Sequence, residues 1–183
     1  MRRPGFALLY YCAAEKKATV IKKSNINNKY ARKSHPQILS EIAHELHTYL
    51  KEYPDAILVR EEALYKATKG TIKTVAVLHK VVGVSDLYGW ASNNREFNEI
   101  SPRTIKRLIT GNPNAEKEEV AAGLEKYVGK LEYETDDESD AVAAGIAYLI
   151  QKKYIDKINP ETLPSFVPIK DEGDIQDHEN DAT

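Results

Sequence analysis

The sequence predicts an α/β fold with a mixed sheet. Two strand-like runs open the chain, helical periodicity dominates from residue 36 onward, and shorter strand-like runs are interleaved with the helices. At 183 residues the chain is long enough for one domain with a real core. No internal repeat is visible.

Phe6 to Ala13 is rich in aromatic and aliphatic residues and reads as a buried strand. "EKK" (15–17) reads as a tight turn into a second strand, Ala18 to Ser24, so that the pair forms a hairpin. Residues 25–35 are polar and loop-like. Pro36 then opens a helix, where its missing N–H costs nothing. Ile38, Ile42, Leu46 and Leu50 recur every four residues along this amphipathic helix, which ends near Tyr53-Pro54. His44 and His47 lie on its flank and read as surface residues rather than ligands. "AILVREEALY" (56–65) is the clearest strand, and a basic loop with Lys66, Lys69 and Lys73 follows. Gly70 and Lys73 lack phosphate-loop spacing, which argues against nucleotide binding.

Thr71 to Trp90 reads as a helix apolar on nearly every side, hence one buried inside the domain or against another subunit. "FNEIS" (97–101) is a short strand, and Pro102 to Thr110 a short basic helix with Arg103, Lys106 and Arg107. A Gly-Asn-Pro-Asn turn leads to a helix over Ala115 to Tyr127, and the last helix runs from about Asp136 to Tyr154. The folded domain is expected over residues 1–157. Residues 158–183 read as an acidic tail too poor in apolar side chains to fold.

Charge is distributed unevenly. Asp171, Glu172, Asp174, Asp177, Glu179 and Asp181 crowd the last thirteen residues, and without these six acids the net charge moves from −2 to +4. A mildly basic body permits a nucleic-acid partner. Cys12 is the only cysteine, which excludes a disulfide framework within one chain and points to a reducing, cytoplasmic setting. The start, "MRRPGFALLYYCAA", has the charges and short apolar run of a signal peptide, but Pro4, Gly5, Tyr10 and Tyr11 fit that reading badly. The run is too short to span a bilayer, and no membrane partner is expected.

Residues 135–138 fit a helix start, with Thr135 as N-cap, Glu138 completing a capping box, and Asp136 and Asp137 facing the positive helix end. Asp140 does not fit that explanation. It lies past the first turn, in an apolar segment, on the face of Asp137, and no basic residue occurs between Lys130 and Lys152. A carboxylate so placed needs a cation, and paired hard oxygen ligands suit Mg²⁺. Glu61 and Glu62 end the third strand, where strand alternation sends only one of them to a given face.

Taken in order, the strand acid, the apolar helix, "SPRTIKRLITGNPNAEKEEV" and "DDESDAVAAGIAYLI" resemble the RuvC family of Holliday-junction resolvases. The "VRE" strand and "KVVGVSDLYGW" helix look closest to the phage-borne branch, and the resemblance spans about residues 5 to 155. It implies a ribonuclease-H-like mixed sheet flanked by helices, a homodimer, and symmetric Mg²⁺-dependent cutting of branched DNA such as a four-way junction, with Mn²⁺ as the alternative ion. By position, Glu61 matches the strand acid, Asp137 and Asp140 the helix acids, and Lys117 a basic position that faces DNA. Arg103, Lys106, Arg107, Lys66, Lys69 and Lys73 are further phosphate-contact candidates from charge and placement.

Two positions differ from the family pattern. Leu64, with Tyr65 beside it, stands where an aromatic often follows the strand acid. The pattern also opens on a strand carrying an aspartate ahead of the "PGFALL" segment, where this sequence has Met1-Arg2-Arg3-Pro4. The expectation is that an upstream reading frame supplies that aspartate, and that the chain as written binds junctions but cuts them weakly. The competing readings are a branched-DNA-binding protein without cutting activity and a nuclease of RNA–DNA hybrids.

Overall fold

A computed structural model describes residues 4–26, 33–63 and 72–158. Strands β1 (Gly5–Cys12) and β2 (Lys17–Asn25) form an antiparallel hairpin. Its turn is closed by Lys16 at φ 49°, a left-handed conformation that tight turns demand. Leu8 pairs with Lys22 and Leu9 with Val20, leaving Ile21 as the extra residue of a bulge. That bulge explains why an isoleucine at the centre of a strand is half exposed (50%). Ala7, Leu9 and Tyr11 point to one face, whereas Phe6 points to the other.

Helix α1 (His35–Glu52) starts as the proline predicts, with the Ser34 N–H donating to Gln37 Oε1 at 2.8 Å. Its predicted stripe, Ile38, Ile42, Leu46 and Leu50, is buried. Helix α2 (Ile72–Asn93) lays Val81, Val84 and Tyr88 against that stripe. The domain itself buries only one side of this helix. Leu78, Leu87 and Trp90 face outward, at 43%, 64% and 58% exposure, because one partner helix covers only one side.

Strand β3 is only Val59–Glu61 and pairs in parallel with β4 (Asn98–Ile100), Glu61 opposite Ile100. Helix α3 (Pro102–Thr110) has Ser101 as N-cap, with the Thr104 N–H donating to its Oγ, and stops at Gly111 in the left-handed region, φ 84°. Helix α4 (Lys117–Val128) begins two residues later than the apolar pattern suggests. Ala115 is wholly buried within the preceding turn, and the Glu116 N–H is capped by Glu119 at 2.7 Å.

Helix α5 (Asp136–Gln151) is the centre of the molecule. It packs on all four strands and on α3 and α4, and Val142, Ile146 and Ala147 are fully buried. Each large aliphatic side chain buried there stabilises the fold by about 1.5–3 kcal/mol. The α/β class is as the sequence predicts. Among the described residues the strands form two two-stranded sheets under one helix, one antiparallel and one parallel. Among the described residues, β1 and β3 each have a strand partner along one edge only.

Candidate active site

Where β3 ends, the parallel pairing with β4 ends too, the Glu62 N–H donating to the Ile100 carbonyl at 2.9 Å. Glu61 thereby stands at the carboxyl end of a strand, facing the first turns of α5. A cleft of about 470 Å³ opens there, lined by Glu61, Ile105, Lys106, Lys117, Tyr133, Asp136, Ser139 and Asp140. The N-terminal turns of both α4 and α5 border it, so two positive helix ends meet at one cavity.

The acids here act on one another. Desolvation, followed by the charges of Asp140 and Asp137, pushes the Glu61 carboxyl up to about 7, and Lys106 opposes that shift. Asp140 is raised too, by desolvation and by Asp137 and Asp136, with Lys117 and Lys106 pulling the other way. Both side chains remain open to water at the cleft mouth while protein atoms wall them on the remaining sides. Asp137 does not line the cleft, although its charge is felt there. Three acids drawn from two distant segments are brought into one electrostatic unit. Among the described residues, however, no three His, Cys, Asp or Glu side chains are gathered closely enough to hold a metal ion on their own.

Asp140 has no basic neighbour on its own helix, as its sequence context indicates, yet it has two from elsewhere in the fold. Lys106 comes from α3 and Lys117 from the first turn of α4, and Lys117 also pairs with Asp136 at 2.5 Å. Arg103 and Arg107 stay exposed on α3 and do not line the cleft. Lys66 and Lys69, with Leu64 and Tyr65, lie outside the described residues, as does the side chain of Lys73. His44 and His47 are exposed on α1, away from the cleft.

Glu138 departs from the sequence reading. Thr135 is the N-cap, its hydroxyl accepting from the Glu138 N–H, but Glu138 does not reach back to close a capping box. Its side chain is buried, at 2% exposure. Oε2 accepts from Lys23 Nζ at 2.9 Å and from the Glu134 N–H at 3.1 Å, and Oε1 accepts from Asn25 Nδ2 at 2.6 Å. Burial pushes this carboxyl up, but the hydrogen bonds and the Lys23 charge outweigh it and hold the group below its ordinary value. Lys23 also lies over the Tyr133 ring, 5.6 Å from its centroid. No local signal links Lys23 to a residue 115 positions away.

The model of the RuvC family, described as crossover junction endodeoxyribonuclease RuvC, matches residues 1–148. Crossover junction endodeoxyribonuclease RuvC of Brachyspira hyodysenteriae is 30% identical over 158 residues, covering 85% of this chain and 95% of that protein. The protein of the same name from Syntrophomonas wolfei is 34% identical over 116 residues, 62% of this chain and 64% of that one. Among solved structures, T. thermophilus RuvC in complex with a Holliday junction substrate superposes with a TM-score of 0.70 at 15% identity, covering 81% of this chain and 87% of that chain. A second Thermus thermophilus RuvC structure gives a TM-score of 0.61, also at 15% identity, covering 75% and 79%.

Proposed function

The chain belongs to the RuvC family, and on that premise we propose that it is a metal-dependent endonuclease resolving Holliday junctions or related branched DNA by phosphodiester hydrolysis. The observation that carries this reading is the meeting of Glu61, from β3, with Asp140, from α5, at one cleft where the charge of Asp140 raises the Glu61 carboxyl and that of Asp137 raises both. Repulsion of this kind is relieved by a cation. A Mg²⁺ ion characteristically takes one or two carboxylates and fills its octahedron with water and substrate phosphate. An open pair with Asp137 behind it fits that habit, and a closed protein cage is not needed. Mn²⁺ would be accepted by the same oxygens.

The bound ion would supply an activated water and stabilisation of the departing 3′-oxygen. The chain's own residues do the rest. Glu61, Asp137 and Asp140 are the proposed ligands and must be ionised to serve. Lys106 and Lys117, on the cleft wall, hold the scissile phosphate and offset its charge. Arg103, Arg107, Lys66, Lys69 and Lys73 contact the flanking backbone. The hydrolysis adds water across one P–O bond, leaving a 5′-phosphate and a 3′-hydroxyl.

We further infer a homodimer through the exposed apolar side of α2, a cytoplasmic setting, and membership of the phage-type branch. Among the described residues no helix is long and apolar enough to cross a membrane. The alternative reading is junction binding without cutting. Incubation of the purified protein with four-way junctions, flaps and RNA–DNA hybrids in Mg²⁺ tests both. Junction cleavage supports the nuclease, tight binding without products supports the binder, and cutting confined to hybrids contradicts both.

A further inference from the structure

We propose that Glu138 is a positioning residue that fixes the first turn of α5, and with it the placement of Asp137 and Asp140. This inference rests on the reading of those two acids as metal ligands. At 3.6 residues per turn, Glu138 points roughly 160° around the helix from Asp140. It therefore faces away from the cleft and into the fold, where its carboxylate is met by Lys23, Asn25 and the Glu134 N–H. A second contact acts on the same turn. A Cβ at Gly5 would come within 2.0 Å of the Asp137 carbonyl oxygen and 2.7 Å of the Glu138 nitrogen, so β1 runs against the helix backbone itself.

Gly5 and Asn25 are cross-strand partners at one rung of the hairpin, and Lys23 stands two residues back along β2 opposite Ala7, so the contacts come from one end of the hairpin. Gly5, having no Cβ, thus lets β1 lie directly against the turn, and Glu138 sets its rotation. Without the Glu138 anchor, the first turn of a helix is the part that frays most readily. The separation between the α5 acids and Glu61 would then vary, and an ion that demands fixed geometry would bind less well.

The test is Glu138→Gln, which keeps the side-chain shape but loses the ion pair, with Leu50→Ala in α1 as a control for general loss of stability. Metal uptake is measured by calorimetry with Mn²⁺ and with Mg²⁺, amide exchange at residues 138–141 without metal, and junction affinity in EDTA. Glu138→Gln is expected to weaken metal binding about 10- to 100-fold. Exchange in that turn should quicken while junction affinity stays unchanged, and Leu50→Ala should show neither effect. If Glu138→Gln does not fold, Asn25→Ala removes one hydrogen bond from the same carboxylate and is expected to move both readouts the same way. Wild-type metal affinity and wild-type exchange in the variant would overturn the proposal alone. A wild-type protein that takes up neither ion would overturn the metal-site reading and this inference together.

Discussion

Glu61 is the residue whose chemistry is most exposed to test. Its carboxyl is displaced from an ordinary 4.5 to about 7, so between those values the folded protein holds a proton that the unfolded chain has released. Stability contributed by that proton is complete below pH 4.5 and is lost as pH rises through 7. Glu61→Gln should therefore melt at a higher temperature than the wild type at pH 8 and at the same temperature near pH 4. Added Mg²⁺ should raise the wild-type melting temperature and leave the variant unmoved. A variant no more stable than wild type at pH 8 would contradict the electrostatic description of the cleft. At this scale the sequence was partly legible. Asp140 stood out because an acid beyond a helix cap, in an apolar segment, has no local explanation. Glu138 did not stand out, because an acid three positions after Thr135 looks like ordinary capping and its true partners lie on β2.

At the scale of elements, α5 and α2 make opposite predictions. Ile146 is wholly buried at the contact of α5 with the strands, and Ile146→Ala should cost about 2–5 kcal/mol in chemical denaturation. A loss below about 1 kcal/mol would mean that the core is not organised around this helix. The outward side of α2 should respond differently. Trp90→Glu should leave the unfolding midpoint of the monomer nearly unchanged but abolish the dimer in light scattering at micromolar concentration, and an unaltered mass would reject α2 as the dimer contact. The periodicity of α1 identified its buried side because polar residues mark the other. In α2 apolar residues occur all round, so the pattern could not tell a buried side from an unpartnered one.

At the scale of the whole molecule, the element order and α/β class were legible because caps, prolines and glycines bound most of the helices. The two-sheet arrangement was not, since strand pairing between distant segments leaves no periodic trace in either strand. What the fold achieves is to carry the strand acid Glu61 and the helix acid Asp140, widely separated in sequence, to one cleft walled by Lys106 and Lys117, with the charge of Asp137 acting on both. The most direct measurement is therefore single-turnover incubation of a labelled four-way junction with wild-type protein and Asp140→Asn, in Mg²⁺ and in EDTA, with junction affinity measured alongside. The wild type should cut only with the metal, and Asp140→Asn should cut at least about 100-fold more slowly while binding the junction as tightly or more tightly. Cleavage by Asp140→Asn at the wild-type rate, or a wild-type protein that neither binds nor cuts the junction, would contradict it.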